Sequence, residues 1–346
     1  MRYILPPLAD LRSLPFDAVI DVRSPSEFAE DHMPGAINLP VLSDKERATV
    51  GTIYVQDSPF KARKIGAALV ARNAARHLEH ELMSKDGGWK PLVYCWRGGQ
   101  RSGSFATILQ QVGWRAKVVE GGYKAYRKRV KQALYDTPFV PEVVLLDGNT
   151  GSAKTDILAA LHRRGVQVID LEGLANHRGS LFGARAGGQP SQKAFESALA
   201  QVVAGLDPVR PVVIEAESSK IGRLVVPPKL WAAMRAAPRV EIQAPLAARA
   251  WFLAAAYSDI VEDKARLLET LDRLRTYHGA ETIAQWCKLA ENGEMEALAA
   301  ALMSAHYDSR YAKARAAKTE VTPLPVTGLG AEDIETVAAQ IDALLA

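Results

Sequence analysis

The chain has 346 residues, a formal net charge of +4, 48% hydrophobic and 24% charged residues; that balance excludes a disordered chain and predicts two domains. No run of 18 apolar residues occurs and residues 1–10 lack the apolar core of a signal peptide, so a transmembrane helix is excluded and a cytoplasmic location without membrane partners is expected. Two cysteines, Cys95 and Cys287, argue against a disulfide framework, and the seven scattered histidines form no metal-ligand spacing, so no bound metal is expected. Charge is uneven: residues 1–140 carry 21 Lys and Arg against 14 Asp and Glu, and the remainder 22 against 25, which favours anionic partners for the first part.

In chain order, the short apolar run at residues 18–22 predicts a buried strand. Ser24-Pro25-Ser26-Glu27 then supplies an N-cap, a first-turn Pro and a Glu three residues on, and Met33-Pro34-Gly35 ends that helix. A strand is predicted at 36–39, a long helix over 60–82, a strand at 91–94 ending at Cys95, a helix through Gln111 and a strand at 117–119. This alternation predicts a parallel sheet covered by helices over residues 1–135. Turn residues cluster at 136–141, and a second α/β series follows over 141–346. It has strands at 143–146, 166–170 and 211–214, an Ala-rich helical extension over about 246–317, and a last helix with Ile334, Val337, Ala338, Ile341 and Leu345 on one face.

Two loops carry chemistry. After Cys95 comes Trp96-Arg97-Gly98-Gly99-Gln100-Arg101-Ser102 and then a helix. Such a loop turns backbone N–H groups inward as an anion nest beside a helix N-terminus, with Arg97 and Arg101 adding charge. That setting lowers a thiol pKa and holds a tetrahedral anion against a thiolate nucleophile. A lone cysteine reads as a small core residue, but two Arg and two Gly in this loop favour the reactive reading. The octapeptide Gly148-Asn149-Thr150-Gly151-Ser152-Ala153-Lys154-Thr155 lies between a predicted strand and helix and nearly satisfies G-x-x-x-x-G-K-[ST]. Gly148, Thr150, Gly151 and Ser152 would cradle phosphates, Lys154 would reach a terminal phosphate and Thr155 would offer a hydroxyl to Mg²⁺. Ala153 departs from the pattern, at about 1 kcal/mol if that position needs φ > 0. Asp170 and Glu215, at predicted strand ends, are candidates for a Mg²⁺ or acid role, and Glu172 shares the ambiguity, with simple solvation as the alternative.

The first part resembles the rhodanese family. The resemblance lies in Asp21-Val22-Arg23-Ser24-Pro25-Ser26-Glu27-Phe28, in His32-Met33-Pro34-Gly35-Ala36-Ile37-Asn38-Leu39-Pro40 and in Glu120-Gly121-Gly122-Tyr123. It implies that Cys95 carries a transferable chalcogen. Five residues separate Cys95 from Arg101 where many rhodaneses have four, the loop size of phosphatase-type relatives, whose signature has His where Tyr94 stands.

The full pattern is a rhodanese-like parallel-sheet domain followed by a P-loop α/β domain with a helical extension. With the loop Cys-Trp-Arg-Gly-Gly-Gln-Arg-Ser it resembles the tRNA 2-selenouridine synthase family. So do the stretches at residues 44–52 and 170–180 and His306-Tyr307-Asp308. The resemblance implies replacement of sulfur by selenium in wobble-position 2-thiouridine of tRNA, with selenophosphate as donor and prior S-geranylation by geranyl diphosphate. It implies Cys95 as perselenide carrier and Arg97, Gly98, Gly99, Gln100 and Arg101 around the selenophosphate, with no tightly bound cofactor. For tRNA, the candidates are Lys124, Arg127, Lys128, Arg129 and Lys131, interleaved with Tyr123 and Tyr126; a solvated linker helix is the alternative. Arg249, Arg273, Arg275 and Arg310 are a second set, and Cys287 beside Trp286 reads as packing. Rival functions are a sulfurtransferase or phosphatase-like enzyme fused to a nucleotide kinase-like domain, and a non-enzymatic anion receptor.

Overall fold

The computed structural model describes residues 1–180, 182–256, 263–308 and 320–345. The chain folds into two compact units, Met1–Pro138 with Pro190–Gly205, and Phe139–Gln189 with Leu206–Ala346. The linear division at 135–141 therefore differs at one segment: residues 190–205 belong with the first unit.

In the first unit, β1 (Arg2–Tyr3), β2 (Ala18–Asp21), α1 (Pro25–Glu30), β3 (Ala36–Asn38), α2 (Asp44–Gln56), α3 (Pro59–Glu79), β4 (Pro91–Tyr94), α4 (Gln100–Val112), β5 (Lys117–Val119) and α5 (Gly122–Lys131) follow in order. The sheet runs β1-β5-β4-β2-β3, all parallel. All four residues of central β4 are buried, as a parallel strand covered on both faces requires. Ile20, Val22, Val93, Phe105 and Leu109 lie in a core cluster that also takes Val70 and Ala74 from α3.

The second unit starts with β6 (Val143–Gly148), α6 (Lys154–Arg163), β7 (Gln167–Ile169) and the short α7 (Leu171–Leu174). The chain then forms α8 (Gln192–Ala204), the helix that belongs with the first unit. Its buried Phe195, Glu196, Ser197, Leu199 and Ala200 explain this placement, because α8 packs against α5. Next come β8 (Val212–Glu215), β9 (Lys220–Ile221), β10 (Leu224–Val225), α9 (Pro228–Ala236), β11 (Arg239–Gln243) and α10 (Leu246–Ala256). The remainder is α11 (Lys264–Asp272), α12 (Arg275–Asn292), α13 (Met295–Leu302), β12 (Val321–Pro325) and α14 (Ala331–Leu345). The sheet order is β12-β11-β6-β8-β7, again all parallel. Two prolines are tolerated in β12 because it pairs with β11 alone and forms the sheet edge.

Helix α14 buries Ile334, Val337, Ala338 and Ile341, as its spacing predicts, and packs on α6. The expected extension over about 246–317 is helical in α10 to α13, while residues 257–262 and 309–319, Arg310 among them, lie outside the described residues. Leu267, Leu271, Ile283, Trp286, Leu298 and Leu302 form its core, with Cys287 packed against it. Among the described residues no helix is long and apolar enough to cross a membrane.

Candidate active-site loops

Cys95 closes β4 and is 3% exposed. Its Sγ accepts a hydrogen bond from buried Ser102 Oγ at 3.1 Å; Ser102 is placed one turn into α4. Among the described residues the backbone amides of residues 96–102 donate to no other backbone group, while the carbonyls of Cys95 and Trp96 accept from Tyr123 N–H and Lys124 N–H, both at 2.9 Å. The loop is thereby fastened by its carbonyls, leaving its amides as donors for an anion.

That fastening demands glycine at two points. Gly98 has φ +65° and a Cβ there would sit 2.4 Å from Val119 O; Gly122 has φ +58° and a Cβ there would sit 2.3 Å from Cys95 O. Of the two arginines, Arg97 is exposed. Arg101 instead donates to Glu27 Oε2 at 2.9 Å. Although burial pushes the Glu27 carboxyl up, the Arg101 guanidinium outweighs it and holds the group below its ordinary value. Glu27 therefore sets where Arg101 points, a role invisible from its spacing of 74 residues. Trp96 is half-buried, its ring 5.2 Å from that of Tyr123.

The basic helix α5 divides by face. Lys124, Lys128 and Lys131 are exposed and, with Trp96, line a groove of about 510 Å³. Arg127 also lines this groove but is engaged by Glu196 and the Lys193 carbonyl of α8, and Arg129 donates to Leu5 O at 2.6 Å. Tyr123 and Ser197 both donate to the buried Asp31 carboxylate at 2.7 Å. The two arginines among the candidate tRNA contacts thus also make fold contacts, with α8 and with the N-terminal segment.

In the second unit the octapeptide links central β6 to α6. Ala153 adopts φ 56°, ψ 26°, so the position that departs from the glycine pattern is left-handed, as the motif requires. Gly151 has φ +83°, and a Cβ there would lie 2.7 Å from Arg249 O. Lys154 Nζ donates to Gly148 O at 3.0 Å. A cavity of about 350 Å³ opens over the loop, lined by residues 150–156 with Glu172, Arg178, Ser180 and Arg185. Arg249 belongs to this loop and not to an RNA-facing surface. It is 6% exposed, donates to Thr150 O at 3.2 Å and pairs with Asp308 at 3.0 and 2.8 Å. Arg273 and Arg275 pair with Glu269 and Asp272 on the surface.

The two acids picked out from strand ends have fold contacts. Asp170 Oδ1 caps α7 through Gly173 N–H at 2.6 Å. Buried Glu215 accepts from Glu172 N–H through Oε1 at 2.6 Å, while its Oε2 has no hydrogen-bond partner among the described residues. The charge of Lys154 acts on Glu172 and Glu217, whose Oε1 atoms both lie within 2.8 Å of where a Gly179 Cβ would be. Burial and the Glu217 charge push the Glu172 carboxyl up to about 8; burial raises Glu217 as well, against the pull of Lys154. At neutral pH Glu172 is therefore mostly protonated and adds little negative charge to the cavity it lines. Among the described residues no three His, Cys, Asp or Glu side chains form a metal-binding group.

Fold and loops together define a chain that carries a rhodanese-type cysteine loop and a P-loop on two parallel-sheet units. The rhodanese-like domain model matches residues 8–129, and the model described as tRNA 2-selenouridine synthase AAA domain matches residues 141–277. A protein of Psychromonas ingrahamii is 36% identical over 250 residues, covering 72% of this chain and 67% of that one. One of Bdellovibrio bacteriovorus is 36% identical over 244 residues, 67% and 62% of the two chains. One of Hahella chejuensis is 39% identical over 243 residues, 67% and 61%. All three are named tRNA 2-selenouridine synthase. The chain belongs to the tRNA 2-selenouridine synthase family, and the matched region spans 61–67% of the length of these relatives.

Proposed function

We propose that this protein is a tRNA-modifying transferase that replaces sulfur by selenium in wobble-position 2-thiouridine, using selenophosphate and passing through an S-geranylated nucleoside. The observation that carries this reading is Cys95, hydrogen-bonded by Ser102 in a loop whose amides are available to an anion.

In the first step the P-loop amides and Lys154 hold the diphosphate of geranyl diphosphate. The thiouridine sulfur attacks C1 of the geranyl group, the C1–O bond breaks, diphosphate leaves, and the nucleobase N3 proton passes to solvent. Were Mg²⁺ to accompany the diphosphate, Thr155 would offer the hydroxyl that the P-loop pattern gives it. In the second step the amides of the Cys95 loop and Arg97 bind the phosphate oxygens of selenophosphate, with Arg101 held at the loop by Glu27. The Cys95 thiolate attacks selenium, the Se–P bond breaks with its electron pair on phosphorus, and phosphite leaves a perselenide on Cys95. The perselenide attacks C2 of the S-geranylated base, geranylthiolate departs, and a thiol reductant cleaves the S–Se bond to free the selenonucleoside.

Nucleoside mass spectrometry of thiolated tRNA incubated with selenophosphate, geranyl diphosphate and thiol tests the reading. Selenouridine is expected from the unaltered protein, and geranylated thiouridine alone from Cys95→Ala. Full selenouridine formation by Cys95→Ala removes the carrier role. So does ³¹P NMR showing phosphate in place of phosphite, the product if selenophosphate itself attacked C2 and water cleaved Se–P. Normal geranylation by Lys154→Ala removes the role of the P-loop.

A further inference from the structure

Beside the phosphate cavity of the second unit lies an apolar slot that the P-loop pattern does not explain. Its walls are Phe182, Leu253, Leu267, Met295, Leu298 and Leu302, from α10, α11, α13 and the segment after Ser180. Thr150 and Ser180 stand in the lining of both the slot and the phosphate cavity, as does Leu253. The two spaces therefore adjoin: a narrow slot of about 60 Å³ lined by hydrocarbon beside a cavity of about 350 Å³ lined by charged and polar groups.

The charged end calls for an anion. Lys154, Arg178 and Arg185 line it, and Arg185 Nε is buried without a hydrogen-bond partner among the described residues. The other end suits no nucleoside: a ribose and base need several polar partners, and a site that buries them without partners rejects them. A saturated or olefinic chain needs none and gains by leaving water.

We infer that this slot holds the hydrocarbon tail of the diphosphate ester bound at the P-loop, and that the α13 residues Ala299 and Leu302 set the length of tail accepted. The inference rests on the reading of the P-loop as a diphosphate site. Ala299 lines the slot with little bulk, so a larger side chain there shortens it; Leu302, also in the lining, deepens it when truncated.

The test is calorimetric titration of the full chain and of Ala299→Phe and Leu302→Ala with inorganic diphosphate and with dimethylallyl, geranyl and farnesyl diphosphate. The expected result for Ala299→Phe is at least a tenfold loss of geranyl diphosphate affinity. Inorganic and dimethylallyl diphosphate should stay within twofold. Leu302→Ala should raise affinity for farnesyl relative to geranyl diphosphate at least fivefold. Unchanged geranyl diphosphate binding by an Ala299→Phe protein that still binds inorganic diphosphate overturns the slot and leaves the P-loop reading intact. If Ala299→Phe loses inorganic diphosphate too, Leu302→Ala decides, and an unshifted chain-length preference overturns the inference. An unaltered protein that binds neither inorganic nor geranyl diphosphate overturns the P-loop reading, and the slot with it.

Discussion

The two glycines of the Cys95 loop stand side by side in sequence, yet alanine at each should have very unequal consequences. At Gly98 the backbone is left-handed, φ +65°, and a Cβ would lie 2.4 Å from Val119 O and 3.3 Å from the amide nitrogens of Gly121 and Gly122. These are backbone atoms of β5 and the turn into α5, which cannot rotate away as a side chain would. The left-handed conformation costs Ala about 1 kcal/mol, and forcing backbone apart in a packed region adds about 1–3 kcal/mol. Gly98→Ala should therefore destabilise the first unit by roughly 2–4 kcal/mol, or on the order of 10 °C in melting temperature for a unit of this size. At Gly99 φ is −97° and a Cβ would meet nothing within 4 Å, so Gly99→Ala should change stability by less than about 1 kcal/mol. Circular dichroism melting of both variants, followed by iodoacetamide labelling of Cys95, reads the two effects. Equal melting temperatures for the two variants, or a Gly99→Ala loss as large as that of Gly98→Ala, would show that this geometry does not govern the loop.

Further outcomes follow from the charged groups. The native state holds the Glu172 proton up to about 8, whereas an unfolded Glu releases it at about 4.3. Native protein thus binds more protons between these values, so this group's contribution is present at low pH and is lost as pH rises through about 8. Glu172→Gln should gain stability relative to the unaltered protein at pH 8–9, with the gap closing below about pH 5; parallel melting curves across pH would contradict this. Replacing Lys124, Lys128 and Lys131 together by Ala should weaken tRNA binding and reduce its log–log salt slope by about 2, at roughly 0.7 per single-strand phosphate contact. Arg127→Ala should instead lower the melting temperature, because Arg127 is engaged with Glu196; an unchanged slope in the triple-lysine protein refutes the division. Arg249→Met should weaken diphosphate binding, and a double-mutant cycle with Asp308→Asn should give a coupling of about 1–3 kcal/mol; additive single effects would show that the pair does not brace the loop.

The elements most legible in the sequence are those whose identity depends on neighbours within a few residues. The capped α1 after Ser24-Pro25, the buried strand into Cys95, the loop-to-helix turn at residues 148–155 and the face of α14 are local patterns of period, cap and turn. Both parallel sheets follow from their alternation. Local chemistry also marks Cys95 and Lys154, while whether Ala153 must take positive φ is left open by the sequence and is answered by its φ of 56°. Strands β11 and β12 and helix α8 are not legible in this way, because short or proline-containing strands and an unremarkable 13-residue helix carry weak local signals.

The division into a basic first part and a slightly acidic remainder implies an anion preference spread over a region. Tertiary structure decides which charges remain available: α8 absorbs Arg127, Leu5 takes Arg129, Glu27 turns Arg101, and the three lysines of α5 stay exposed. The same holds for the acids, since Glu172 and Glu217 meet only when the turns after β7 and β8 converge on Lys154. Composition and spacing determine which groups a chain possesses and which elements it forms. Whether a charge is paired, a carboxyl holds its proton, or an apolar slot opens beside a phosphate loop depends on contacts between residues far apart in sequence. Those contacts exist only once the core is packed.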